Sequence, residues 1–206
     1  MVVARVTAIR RRRQGDPAVD VMLDSGESVR VHDRRIGEHR LSPGAELGRP
    51  GLDALRRAAA FDDAERRALR LLERRPRSAA ELRARMASWG VDEVTAAGVL
   101  ERLGELGQVD DRRLAAFVAE SRRANGYGRF RTASDLARLA VDDAAAESAL
   151  SRLPADDQGD AEQVVRRKFG EPPYDDRTAR RAAGFLARRG FGPDAVAAAV
   201  GRPALG

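Results

Sequence analysis

The sequence predicts a mainly α protein: an elongated array of three tandem three-helix repeats, preceded by a small β-rich N-terminal module. Three observations predict it. The first is an echo of fifty residues. Gly90, Ala140 and Gly190 keep this spacing, as do Val91, Val141 and Phe191, then Met86, Leu136 and Leu186, then Leu100, Leu150 and Val200. A fixed period of this length marks stacked supersecondary units, which work by offering a long surface to a partner. The second is composition. Aromatic residues make up 4% of 206 positions, so small modules lined with Leu, Val and Ala fit better than one large core. The third is a change of character near residue 60, from strand-like alternation to helical periodicity. The expected limits are 1–60 for the β-rich module and 61–107, 108–155 and 156–206 for the three repeats.

In chain order, Val2 to Arg10 alternates loosely and is rich in β-branched residues. Val19 to Leu23 and Ser28 to Val31 follow, so two or three strands are expected, with a hairpin turn at Ser25-Gly26. Arg10 to Arg13 form the exposed tip between the first two. Ile36 to Leu41 reads as a short helix stopped by Ser42-Pro43-Gly44, and Leu52 to Ala60 starts another. A separate helix is expected over Asp63 to Arg74, with Leu69, Leu71 and Leu72 on its apolar face. Ser78 and Glu81 have capping-box spacing, with Leu82 and Met86 pointing inward after them. Gly90 supplies the positive φ at the helix end. Asp92 caps a helix carrying Val94, Val99, Leu100 and Leu103. Asp110-Asp111 opens the second repeat, whose first helix has Leu114, Phe117 and Val118 on its inner face. Helices over Phe130–Leu139 and Asp142–Leu153 complete it. The third repeat has Val164, Val165 and Phe169, an interruption at Pro172-Pro173, a helix over Thr178–Arg189, and a last helix opened by Gly192-Pro193. Ala140 stands where the other repeats have glycine. An alanine at positive φ is strained, so a differently shaped helix end is expected there.

The net charge of +6 favours polyanions or acidic protein faces. Lys168 is the only lysine, and so strong an arginine bias is also what a GC-rich genome produces. There is no cysteine, no basic region followed by an apolar run at the start, and no apolar stretch of membrane-spanning length. A soluble, cytoplasmic monomer is expected.

An enzyme needs converging polar groups, and few are visible. His32 and His39 lack a second ligand at metal-site spacing, so no metal, cofactor or catalytic residue is expected. The pairs Asp62-Asp63, Asp110-Asp111, Asp142-Asp143, Asp156-Asp157 and Asp175-Asp176 read mostly as helix caps. Gly126-Tyr127-Gly128-Arg129-Phe130-Arg131 lacks the ending of a P-loop. It reads as a tight interhelix turn, as an anion contact at a helix start, or as both. Arginine runs recur at comparable places, at Arg10–Arg13, Arg74-Arg75-Arg77, Arg122-Arg123, Arg166-Arg167-Lys168, Arg180-Arg181 and Arg188-Arg189. Stacked units would align them into a basic stripe able to follow phosphates or acidic side chains. The residues expected to meet a partner are Arg77, Arg122, Arg123, Arg129, Arg131, Arg166, Arg167, Lys168, Arg188 and Arg189.

Several segments resemble the RecX regulatory family. Arg77-Ser78-Ala79-Ala80-Glu81-Leu82 with Trp89-Gly90-Val91 is similar to its first repeat. Gly107 to Asp111 with Ala115, Phe117 and Val118 is similar to the junction into its second. Arg122, Gly126-Tyr127-Gly128 and Arg131 resemble the segment that follows, and Phe185 to Phe191 the closing motif of the third. Ser78, Gly90, Asp110, Asp111, Gly126, Gly128, Gly190 and Phe191 are the structural positions of this pattern. Arg129, Thr132 and Ala140 depart from it, where the family usually has proline, isoleucine and glycine. The resemblance spans roughly residues 62–200, and the β-rich extension resembles that of longer members. It implies a non-enzymatic protein that binds the RecA–DNA filament and restrains RecA in recombination, DNA repair and the SOS response, with single- or double-stranded DNA as a further partner. A stand-alone DNA-binding helical module is the alternative, and a nuclease is disfavoured.

Overall fold

The computed structural model describes residues 2–154 and 157–201. Asp156 and the last residues of the third repeat lie outside them. The described residues form ten helices and four strands, in two compact units: residues 2–75 with 82–108, and residues 76–81 with 109 onward.

In the first unit, β1 (Val2–Arg10), β2 (Ala18–Leu23), β3 (Ser28–His32) and β4 (Glu46–Gly48) make an antiparallel sheet of order β3-β2-β1-β4. β4 is an addition to the expected strands. It has only three residues, too few to show alternation, and it is a strand because Leu47 pairs opposite Ala4 on β1. Helix α1 (Arg34–Glu38) follows β3 and starts slightly earlier than expected. Val6, Val21 and Val31 are fully buried, with Val19, Leu23 and Val29 beside them. The facing element is α2 (Arg49–Leu72), whose Leu52 and Leu55 enter the same core.

α2 is a single helix of 24 residues, where two were expected. Asp62-Asp63 mimics a cap in the sequence but lies mid-helix. Asp62 is 5% exposed and accepts the His32 backbone N–H at 2.7 Å. The Arg35 guanidinium reaches the same carboxylate at 3.0 Å and that of Arg34 at 3.4 Å. Glu65, also buried, takes Arg34 at 3.3 Å. A buried carboxylate persists only when paired, and here the pairs tie α2 to the end of β3. Farther along, Ala64 and Ala68 are buried while Leu69, Leu71 and Leu72 are half-buried, and α2 packs on α4 (Glu93–Glu105). The close fit rests on Gly98, whose added methyl would meet the Phe61 ring at 3.2 Å. α3 (Ala79–Ser88) buries Leu82 and Met86. Val94 is 84% exposed, so it is not on the inner face. It lies in the first turn of α4, and the buried face is carried by Ala96, Val99, Leu100 and Leu103.

The second unit holds α5 (Asp111–Ala124), α6 (Arg129–Arg138), α7 (Asp143–Ser151), α8 (Gln158–Phe169), α9 (Asp176–Arg188) and α10 (Pro193–Ala199). α5 packs on α7 and α8 on α10, with α6 and α9 closing the two triads. Each triad has its own core. One is built on Leu114, Ala115, Leu136 and Val141, the other on Ala161, Val165, Leu186 and Phe191. Phe117 is exposed rather than inward-facing, because Ala115 and Ala119 take the buried stripe of α5. Asp92, Asp110, Asp142 and Asp175 are caps, each accepting the N–H three residues on. The Thr95 backbone N–H and hydroxyl hold the Asp92 carboxyl below the ordinary range. At Asp175 the Thr178 side chain leads and its N–H adds to the effect. Ser78 Oγ accepts the Glu81 N–H at 3.1 Å, and the Glu81 carboxylate pairs with Arg77.

The fifty-residue echo is a repeated helix end. At residues 90, 140 and 190, φ is +80°, +49° and +79°. In each case the next N–H returns to a carbonyl five residues back: Val91 to Met86 at 3.1 Å, Val141 to Leu136 at 3.3 Å and Phe191 to Leu186 at 3.2 Å. This is the Schellman ending. Ala140 thus keeps the shape of its glycine counterparts, against the expectation of a different one. The two backbone bonds that close the turn outweigh the crowding of one methyl. Ala140→Gly is expected to stabilise the protein by about 1 kcal/mol, since that crowding is relieved. A thermal midpoint that fails to rise would mean the methyl contributes useful packing.

Candidate partner-binding surface

All ten cations expected to meet a partner lie in the second unit, together with a joint that the period repeats. Ser78 Oγ at the start of α3 donates to Leu139 O at the end of α6, at 2.6 Å. Fifty residues later, Gly128 N–H at the start of α6 donates to Arg189 O at the end of α9, at 2.9 Å. Asp111 accepts the Ala79 N–H at 2.9 Å, and Asp157 accepts the Arg129 N–H at 2.8 Å. The positive end of one helix therefore meets the negative end of the next, with an aspartate from the following triad as the clamp. Asp111 and Asp157 cap helices other than their own, a role not visible from their pairing in the sequence. At the second joint the backbones touch. A methyl on Gly128 would lie 2.6 Å from Phe191 N, and one on Gly190 would lie 2.8 Å from Arg131 Cα.

This joint bears on the reading of the Gly126–Arg131 segment. Gly128, Arg129 and Phe130 give their N–H groups to Arg189 O, Asp157 and Gly190 O. These three donors are engaged within the protein, as a tight interhelix turn requires. Gly126, at φ +69°, packs against Val164 and the Arg189 guanidinium. Arg189 in turn donates to Asn125 O at 2.7 Å and Gly126 O at 3.0 Å.

Most of the candidate arginines are engaged in such ties. Asp135, 2% exposed, accepts Arg122 at 2.7 Å, Arg131 at 3.3 Å and Arg138 at 2.6 Å. The Tyr127 ring lies under Arg122, Arg131 and Arg189, at 5.4, 5.9 and 4.9 Å from its centroid. Arg123 forks onto Asp160 at 2.7 and 3.3 Å, and that hydrogen-bonded carboxylate raises its pKa. Arg129 reaches Leu150 O at 2.5 Å. Arg77 holds Glu81, and Arg166 lies between Glu162 at 3.6 Å and Glu171 at 3.5 Å.

Arg167, Lys168 and Arg188 differ. They are exposed, and no carboxylate among the described residues lies within ion-pair distance of them. Arg180 and Arg181 share this state and adjoin Lys168 and Arg188. Both belong to an arginine run in the sequence, but nothing there distinguishes that run from the paired ones. The structure thus separates internal clamps from free charge. It brings Arg122, Arg131 and Arg189 together around Tyr127 and gathers the free cations on α8 and α9. His32, in the first unit, lies 3.0 Å from Asp33, and no group of acids and histidines able to hold a metal occurs among the described residues.

Comparison with known proteins agrees with this architecture. Residues 64–103 match the first three-helix domain of RecX. A regulatory protein RecX of Stenotrophomonas maltophilia (strain K279a) is 38% identical over 131 residues, covering 63% of this chain and 80% of that protein. One of Xanthomonas axonopodis pv. citri (strain 306) is 37% identical over 135 residues, covering 65% and 83%. A crystal structure of regulatory protein RecX superposes with a TM-score of 0.72 over 97% of this chain and 99% of that one, at 19% identity. RecX from Lactobacillus salivarius gives 0.60 over 70% and 96%, at 18% identity. The structural likeness shows the fold, and the sequence likeness extends over most of its relatives' length: the chain belongs to the RecX family of regulatory proteins.

Proposed function

We propose that this protein binds the RecA–DNA filament and restrains RecA, lowering its ATP hydrolysis and strand exchange, without catalysing a reaction of its own. In this reading it acts as a cytoplasmic monomer built from a β-rich module and three helical units with limits near residues 61–107, 108–155 and 156–206. The observation that carries the reading is its 37–38% identity to proteins named as RecX regulators. The free cations of α8 and α9 support it, because a filament of protein and DNA offers phosphates and acidic side chains along its length.

The test is a RecA ATPase assay on single-stranded DNA with the purified protein titrated in. ATP hydrolysis is expected to fall progressively to a small fraction of its starting rate. A rate that stays constant up to a large excess of the protein overturns the reading. Charge reversal at Arg122, Arg123 or Arg189 is a poor probe of contact, because these residues hold Asp135, Asp160 and the turn at Asn125-Gly126.

A further inference from the structure

α8 and α9 leave between them a cleft of about 270 Å³ lined by Lys168, Phe169, Arg180, Arg181, Gly184, Phe185 and Arg188. It contains four cations and no acid. Asp175 caps α9, and its carboxyl is held below the ordinary range chiefly by Thr178, with a smaller through-space contribution from Arg181. Arg122, Arg123, Arg131, Arg138 and Arg166 in this unit each pair with a carboxylate, whereas the four cations around this cleft meet none among the described residues and form a concentrated positive field.

The arrangement follows from helix spacing. Arg180, Gly184 and Arg188 fall four residues apart on α9 and make one row, roughly 12 Å long at the helical rise. Gly184 leaves the middle of that row without a side chain, and the nearest atom to an added methyl is Arg188 Nη1 at 3.4 Å. Lys168 contributes from the last turn of α8. The aromatic rings hold the cations. Lys168 Nζ is 4.1 Å from the Phe185 centroid, with Arg189 at 4.8 Å, and Arg181 is 6.0 Å from Phe169. The two rings meet edge to face at 5.8 Å.

Those contacts select among anions. Base stacking requires a free aromatic face, and cations already cover the rings. A peptide would need an apolar anchor for affinity, and the same contacts remove it. What remains is charge, arrayed along a row and open to solvent, which suits an evenly charged polymer. We propose that this cleft is a sequence-independent site for the phosphodiester backbone of a nucleic-acid strand. The proposal deepens the regulatory reading, since it names what this face takes, and it is tested without RecA.

The experiment measures binding of a fluorescein-labelled oligo-dT strand to the full chain by anisotropy across a salt series, with oligo-dA of equal length alongside. Two variants are compared. One is the triple substitution Lys168→Gln, Arg181→Gln and Arg188→Gln. The other is Gly184→Glu, which puts an acid between Arg180 and Arg188 while gaining helix propensity, so that it keeps the fold. Arg83→Gln, at an exposed pair with Glu93, is the control. The triple variant is expected to bind about tenfold more weakly at low salt, with a salt slope shallower by about 2, since each phosphate contact on a single strand adds about 0.7. Gly184→Glu is expected to weaken binding similarly, while the control and the choice of base change little. Wild-type affinity in both folded variants overturns the proposal. So does a strong preference between oligo-dT and oligo-dA, or displacement of the strand by polyglutamate more readily than by an unlabelled strand of equal charge. A protein that loses the strand yet still inhibits RecA supports the cleft and leaves the regulatory reading standing. One that binds the strand without affecting RecA supports the cleft alone.

Discussion

Gly190→Ala is expected to destabilise the second unit by at least about 3 kcal/mol, read as an earlier denaturant midpoint in circular dichroism. Two effects add. Gly190 sits at φ +79°, where a methyl is crowded by its own backbone. That methyl would also press into the first turn of α6, 2.8 Å from Arg131 Cα and nearer still to Arg131 N. Backbone cannot move aside as a flexible side chain can, so the Phe130 N–H to Gly190 O bond, 3.0 Å long, must stretch or break. Gly90→Ala is the internal control. Its φ is +80°, but no atom lies within 4 Å of an added methyl. It is expected to lose only the conformational part, about 1–2 kcal/mol. Equal losses for the two substitutions would show that the joint between α6 and α9 is not tight.

The contrast between Gly90 and Gly190 also shows what a sequence can disclose. The positive φ at both positions is legible because it is local: a helix ends and glycine is the residue that turns there cheaply. The contact that makes Gly190 costlier to replace is tertiary, and no pattern around residue 190 names residue 131 as the neighbour. The period places Ser78 fifty residues before Gly128 and Leu139 fifty before Arg189, yet repetition alone does not say that the first member of each pair meets the second. The arginines illustrate the same limit. Arg122 and Arg123 are adjacent and look equally free, but their acids, Asp135 and Asp160, are brought to them by other helices. The run at Arg180-Arg181 looks no different and has no such partner. Family resemblance does not separate these cases either, because clamp and contact residues both belong to its motifs. Side-chain direction misled at Phe117 and Val94, where helical spacing fits more than one face and packing of small residues decided which was buried.

Asp62→Ala is expected to destabilise the first unit by about 3–5 kcal/mol, for the opposite reason: a side chain is missing where one is needed. The loss exceeds the worth of any single ion pair, because three donors are left without their acceptor at once. The His32 N–H ends β3, and the Arg35 side chain is 18% exposed, so neither recovers full hydration when the carboxylate goes. Arg34, held also by Glu65, is less affected. Asp62→Asn separates shape from charge. Its amide oxygen can still accept the His32 N–H, but its NH₂ group faces the guanidinium of Arg35, so an intermediate loss is expected. Hydrogen exchange distinguishes this local tie from general destabilisation. In the alanine variant the amides of β3 are expected to lose protection before those of β1 and β2, because α2 no longer holds the end of that edge strand. Unchanged protection along β3, with a stability loss under about 1 kcal/mol, would mean that water replaces the carboxylate and that apolar packing by Leu52 and Leu55 alone seats the helix on the sheet.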